Sequence, residues 1–339
     1  MTSHFTVIAT WIEAVLSGLE AQGLDRRELT EGLGGLDAAS AIPSRQFEVA
    51  LVRRIWHRAA ELSSDPLLGL KVGSSLPVQA THVVALIAMH SPTLREALTN
   101  TTRYQLLISN SGHYHLLQAR QGMRLAYRPI ASHVPLHFMQ VDSVISGTIG
   151  LMRQCGLADL APLEVALPAP DRKLRGAYED YFRCPVQTGA KQTIVHYDAA
   201  SLSRRIPGAD SSLLKLALAH AETLMQAQSR FDSLSASVRE AIAAHGFASV
   251  SCEEIAAGIG ISARTLQRRL AETGTTFRQL IEDARMQEAH YLLTRSTLSL
   301  PEISARLGYS DPSVLSRAAR NWWGTTPRAI RSQAAPLPG

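Results

Sequence analysis

The chain has 339 residues, 45% of them hydrophobic, and its 34 basic and 29 acidic side chains leave a formal net charge of +5. That length accommodates two domains with ordinary globular cores, and no apolar run approaches the ~20 residues that a membrane helix needs. The N-terminus carries no basic leader and is interrupted by Glu13 and Glu20, so no signal peptide is expected. Cys155, Cys184 and Cys252 lack CxxC spacing, which suggests neither a disulfide framework nor a zinc ribbon and fits a reducing cytosol.

Helical periodicity predicts helices over Val7–Gln22, Ser44–Leu62 and Ser91–Tyr104, the last capped by Ser91 with Pro92 behind it. Gln105–Ala119 alternates like a strand, Gln121-Gly122 turns, and Met123–Pro129 pairs back as a hairpin. Pro135–Cys155 reads as a helix, and Leu163–Leu167 and Thr193–Tyr197 as short strands. Helices interleaved with antiparallel strands give an α+β domain ending near Arg205. Ser211–Gln228 reads as one more helix, Ser229–Ser237 (SRFDSLSAS) as a hinge, and Ala334–Gly339 as a frayed tail.

A small-molecule pocket on such a domain is mostly apolar with a few orienting polar groups. The polar residues of the hairpin and the following helix are the candidates: His113, His115, Arg124, Tyr127, His133 and His137. Arg124 suits a carboxylate, with an ordinary surface arginine as the competing reading. His113 and His115 share a strand face, but no carboxylate or cysteine at ligand spacing accompanies them, so no metal is expected.

The most informative feature is an internal repeat. Ser251–Ser262 reads SCEEIAAGIGIS and Ser299–Ser310 reads SLPEISARLGYS, with identities at Ser251 and Ser299, Glu254 and Glu302, Ile255 and Ile303, Ala257 and Ala305, Gly260 and Gly308, and Ser262 and Ser310. Serine followed three residues later by glutamate is a capping box, and each glycine falls where the chain turns sharply. Ser262 caps a second helix in the first copy; Asp311, followed by Pro312, does so in the second. In the first of these helices Ala263, Leu266 and Leu270 form an apolar stripe opposite Arg264, Gln267, Arg268 and Ala271, with Thr265 beside Arg264. In the second, Leu315, Ala319 and Trp322 face inward while Ser313, Ser316, Arg317 and Arg320 face outward. Both copies end at Gly-Thr-Thr, Gly274–Thr276 and Gly324–Thr326. Helix, glycine turn and a second helix with a polar outer face is the helix-turn-helix pattern, here in tandem.

Phe277–Thr294 between the copies reads as a helix. A helix of about 20 residues spans ~30 Å, and successive major-groove entries on one face of B-DNA lie about 34 Å apart. That length is suited to placing two recognition helices in adjacent turns of one groove. From Ser262 to Arg331 there are eleven arginines, no lysine and six acidic residues. Guanidinium groups favour bidentate contacts with phosphate and guanine.

Residues Leu234–Arg331 resemble the DNA-binding domain of the AraC/XylS family of bacterial transcription regulators. The carriers include Ser262-Ala-Arg-Thr-Leu-Gln-Arg-Arg-Leu270, Ala284-Arg285, Leu292-Leu293, Leu307-Gly-Tyr-Ser310, Ser316-Arg317 and Gly324-Thr-Thr-Pro327. The resemblance implies that Arg264, Gln267 and Arg268 line the base-facing side of the first recognition helix, and Ser313, Ser316 and Arg317 that of the second. Leu315 and Ala319 stand where members usually carry aromatics, a space that Trp322-Trp323 is placed to refill. With short side chains at Pro312 and Ser313, the second helix is expected to grip phosphate more than read bases. The N-terminal part is similar, more weakly, to an effector domain of one branch of the family. Ser91-Pro-Thr-Leu-Arg-Glu-Ala-Leu98, Arg103-Tyr104, Pro168-Ala-Pro170, Tyr181-Phe182 and Cys184-Pro185 carry that similarity; in that branch the domain senses a small metabolite and dimerises.

Gly258-Ile-Gly260-Ile-Ser-Ala263 also fits a loose dinucleotide fingerprint, but that motif needs a preceding strand and here a capped helix precedes it. No GxSxG elbow, HExxH or P-loop occurs, and no cofactor or catalysis is expected. The expected architecture is an α+β N-terminal effector domain followed by an all-α C-terminal domain with two helix-turn-helix units joined by a linking helix. Its parts are residues 1–210 for sensing and dimerisation, 211–233 as helix and linker, 234–332 for DNA binding and 333–339 as tail. The expected protein is a cytoplasmic, homodimeric, sequence-specific regulator of promoter DNA, an activator under a small-molecule effector, with RNA polymerase as a possible contact and no membrane partner. The competing readings are a non-specific architectural DNA-binding protein and an enzyme with an accessory DNA-binding domain.

Overall fold

The computed structural model describes residues 5–33, 46–130, 136–169, 172–247, 250–272 and 275–333. Backbone contacts divide it into two units, Ser3–Met225 and a second that runs from Gln226 to the C-terminus. Among the described residues no helix is long and apolar enough to cross a membrane.

The first unit is α+β. It opens with β1 (Thr6–Ile8), α1 (Ala9–Ala21) and α2 (Arg26–Thr30), then β2 (Gln46–Glu48), α3 (Val49–Leu62), α4 (Leu68–Ser74), α5 (Val83–His90) and α6 (Leu94–Arg103). The hairpin β3 (Gly112–Ala119) and β4 (Gly122–Pro129) leads to α7 (Phe138–Gln154), β5 (Glu164–Ala166), α8 (Arg175–Phe182), β6 (Val186–Gln187), β7 (Thr193–Tyr197) and α9 (Ala199–Leu202). The main sheet has the order β3-β4-β7-β5-β6, antiparallel except for the β5–β6 pair. Its inner face packs on α7, whose Val141, Ile145, Ile149 and Met152 recur at helical spacing and are buried. A second core gathers α1, α3 and α4 around Trp56. The α4 backbone lies directly on α7: a Cβ at Gly69 would stand 2.1 Å from the Met139 carbonyl oxygen, and one at Gly73 2.0 Å from Ser146 Oγ. Only glycine permits that approach.

The second unit is all helix after α10 (Ser211–His245): α11 (Cys252–Gly258), α12 (Ala263–Ala271), α13 (Phe277–Arg295), α14 (Leu300–Arg306), α15 (Pro312–Trp323) and α16 (Pro327–Gln333). One core, including Val238, Ile255, Leu266, Leu280, Leu293, Ile303 and Leu315, runs through it.

Several expectations are corrected. Ser229–Ser237, read from the sequence as a hinge, is helical and lies within the continuous, 35-residue α10. Serine costs a helix only a few tenths of a kcal/mol, and Leu234, Val238 and Ile242, four apart, pack into the core. The first predicted helix begins two residues late, because Val7 and Ile8 pair with Phe47 and Gln46 as a strand. Thr93, not Ser91, caps α6 by accepting the Glu96 N–H at 3.3 Å, while Ser91 Oγ donates to the Ile87 carbonyl at the end of α5. Gln105–Leu107 is a 3-10 turn, so the predicted long strand starts only at Gly112. Ser44, Pro135, Pro170, Gly274 and the Ala334–Gly339 tail lie outside the described residues.

Candidate nucleic-acid interface

Both helix-turn-helix units form, and each is fixed by its ends. At α11 the Glu254 N–H donates to Ser251 Oγ (3.2 Å) and the Ser251 N–H to Glu254 Oε2 (3.3 Å). At α14 the same reciprocal pair joins Ser299 and Glu302, at 3.4 and 2.7 Å. These hydrogen bonds, first of all from the serine hydroxyls, hold both glutamates below the usual carboxylate range. The linking helix α13 has a third such box that sequence reading missed, between Thr276 and Gln279. Each cap is worth about 1 kcal/mol. The turns pass through Gly260 and Gly308, both at φ +75°, a left-handed conformation that side chains disfavour.

The recognition helices follow. Ser262 caps α12, and its hydroxyl also meets the half-buried Thr265 hydroxyl at 2.9 Å. Leu266 and Leu270 are buried, Ala263 is half-buried, and Arg264, Gln267, Arg268 and Ala271 are exposed. Arg264 has no hydrogen bond or ion pair among the described residues, and Arg268 lies 3.7 Å from Glu272. At α15 the Ser313 N–H donates to Asp311 Oδ1 (2.6 Å), which holds that carboxyl down. Leu315, Ala319 and Trp322 are buried, while Ser313, Arg317 and Arg320 are exposed and Ser316 is half-exposed. The Ser316 hydroxyl turns back to the Pro312 carbonyl at 3.4 Å. Neither Arg317 nor Arg320 has a hydrogen bond or ion pair among the described residues. Trp322 Nε1 donates to Glu282 Oε1 of α13 (3.1 Å), and the Trp322 and Trp323 rings meet edge to face at 5.1 Å. Leu315 and Trp322 share one core with Trp323 packed against it, and the Trp322–Glu282 hydrogen bond ties α15 to the rod that joins the units. That rod has 19 residues, about 28 Å of helix. The arrangement presents two arginine-bearing helices on one folded body, which is the chemistry needed to neutralise phosphate and reach base edges.

The candidate small-molecule residues are not brought together. The register pairs Tyr114 with Tyr127 on the inner sheet face, while strand alternation turns His113, His115 and Arg124 to the opposite face. Arg124 Nη2 stands 3.7 Å from Glu164 there, and the two histidine rings are 6.5 Å apart. His137 caps α7 and meets His57 edge to face at 5.6 Å; burial, then His57, lowers its pKa. His133 lies outside the described residues. Of the described candidates, Tyr127 lines a cavity of about 70 Å³ whose walls include residues of α1, α3, α6, the hairpin and α7. Sequence reading missed the other polar residues of its wall, among them Gln140, Thr148, Tyr114 and Thr101. The available signal was Gln140 and Thr148, two helical turns apart on an otherwise apolar stripe.

A model of the arabinose-binding N-terminal domain of AraC transcription regulators matches residues 23–206, and a helix-turn-helix domain model matches residues 255–333. An uncharacterized HTH-type transcriptional regulator of Mycobacterium tuberculosis is 30% identical over 300 residues, 86% of this chain and 85% of its own. The ornithine utilization regulator of Pseudomonas aeruginosa is 24% identical over 329 residues, 96% of each chain. Among solved structures, the transcriptional regulator CdpR from Pseudomonas aeruginosa matches with a TM-score of 0.44 and 23% identity, over 90% of this chain and 97% of that one.

Proposed function

The chain belongs to the AraC family of transcription regulators, and from that premise we propose that it is a one-component, sequence-specific activator of promoter DNA under small-molecule control. Residues 1–210 sense the effector and dimerise, residues 211–233 connect, and residues 234–332 bind DNA. The observation that carries this reading is the pair of capped helix-turn-helix units whose second helices expose Arg264, Arg317 and Arg320, none of them in an ion pair among the described residues. In this reading Arg264, Thr265, Gln267 and Arg268 of the first recognition helix and Ser313, Ser316, Arg317 and Arg320 of the second contact DNA, with Arg264, Gln267 and Arg268 reading base edges and the second set mainly holding phosphate. Effector binding shifts an equilibrium between states of different DNA affinity. In this reading the protein works in the cytoplasm as a homodimer, is not an enzyme, and has RNA polymerase as a candidate contact.

Genome-wide mapping of bound sites tests the proposal. A defined footprint upstream of few genes, lost or relaxed with Arg264→Ala, is expected. Affinity set by salt alone, with no preferred sequence, would mark an architectural DNA-binding protein instead.

A further inference from the structure

The cavity of the N-terminal unit differs in its walls from an ordinary packing defect. We propose that it is the effector site and takes a small, uncharged molecule with an apolar body and a hydrogen-bond donor presented to Gln140; this rests on the sensing role assigned above to the domain.

The chemistry of the walls carries the argument. None of the described lining residues is Asp, Glu, Lys, Arg or His. The Tyr114 and Tyr127 phenols are pushed upward by burial and stay neutral. Arg53, buried nearby, gives its Nη2 to the Ile130 carbonyl at 2.7 Å. Arg53 acts on the Tyr127 phenol but does not line the space, so a carboxylate or ammonium entering it would lose its water without gaining a direct ion pair from the described lining. Trp11, Val52, Val144 and Leu151 supply apolar wall.

Most polar groups on the lining are already engaged. Tyr114 Oη and Thr148 Oγ1 are 2.6 Å apart, Gln105 Oε1 accepts the Tyr114 N–H at 2.6 Å, and Thr101 Oγ1 donates to the Ala97 carbonyl at 2.7 Å. Gln140 is different. It is 5% exposed, and its Oε1 is buried with no partner. A buried acceptor left unpaired is costly, and a donor from a ligand removes that cost. The volume, about 70 Å³, leaves room for roughly five to seven water-sized groups, which limits the ligand to a small alcohol, phenol or comparable molecule.

Isothermal titration calorimetry on the full chain tests this with three probes of matched size: phenol, toluene and cyclohexylammonium. Phenol is expected to bind, toluene roughly tenfold or more weakly for want of the donor, and cyclohexylammonium without measurable heat. Gln140→Leu should bring phenol and toluene to similar affinity; should that variant fail to fold, Gln140→Met makes the same comparison. Equal binding of cyclohexylammonium and phenol, a phenol preference that survives loss of the amide, or no heat from any probe overturns the proposal. Fluorescence anisotropy with DNA from upstream of the chain's own gene addresses the other reading. Failed calorimetry beside sequence-preferring DNA binding overturns the ligand class alone. Absence of sequence-preferring binding strikes the regulator assignment whatever the calorimeter shows.

Discussion

Replacing Asp142 with asparagine should change how the stability of the N-terminal unit responds to pH. Asp142 is fully buried in α7; the Tyr178 hydroxyl donates to its Oδ2, and its Oδ1 has no partner. Burial is the dominant influence and pushes the carboxyl up to about 7, against the hydrogen bond that lowers it. In the unfolded chain the group titrates near about 3.9. Between those values the folded state holds a proton that the unfolded state has released, so stability falls as pH rises through that window and is fully present below it. The slope is about 1.4 kcal/mol per pH unit, which over about three units reaches an upper figure of about 4 kcal/mol. An asparagine side chain keeps the shape and the acceptor for Tyr178 but cannot ionise. Urea unfolding at pH 5, 6, 7 and 8, followed by hydrogen exchange of peptides from Phe138–Gln154, is the measurement. The Asp142→Asn protein should lead by about 1.5 kcal/mol at pH 5, and the lead should grow to about 4 kcal/mol by pH 8. A difference that does not vary with pH would refute the reasoning, because it would mean that the carboxyl titrates at its ordinary value.

Three further outcomes are expected. Arg264→Ala should weaken binding to a mapped site by about 1–3 kcal/mol if the guanidinium pairs with guanine, with an unchanged melting temperature; anisotropy and thermal melting check the two halves. Gly260→Ala meets no atom within 4 Å, so its cost is the left-handed backbone alone, about 1–2 kcal/mol, read as a lower urea midpoint for the C-terminal unit. Ser299→Ala removes a reciprocal cap at α14 and should cost about 1 kcal/mol in the same assay; Ser310→Ala, which lies between α14 and α15, is the control and should leave the midpoint in place.

The DNA-binding half is legible because its instructions are local. Ser251 and Glu254, Gly260, Ser299 and Glu302, and Gly308 each act within a few residues, and the structure places them as caps and left-handed turns. The 3.6-residue stripe likewise sets which faces of α12 and α15 are buried. The connecting helix misleads because serine-rich composition resembles a linker, whereas a stripe of Leu234, Val238 and Ile242 decides the outcome through tertiary packing. The cavity is illegible for a different reason. Its walls include residues of α1, α3, α6, the hairpin and α7, far apart in the chain, and proximity between them exists only once the sheet has closed over α7. Periodicity locates the hairpin, but strand alternation sends His113, His115 and Arg124 away from that space and leaves Tyr127 facing it.

The basic residues from Ser262 to Arg331 are all arginines. No side-chain amine in that stretch can be acylated. Its attraction for a polyanion is therefore indifferent to lysine-directed enzymes. The variable left to adjust it is the concentration of competing ions.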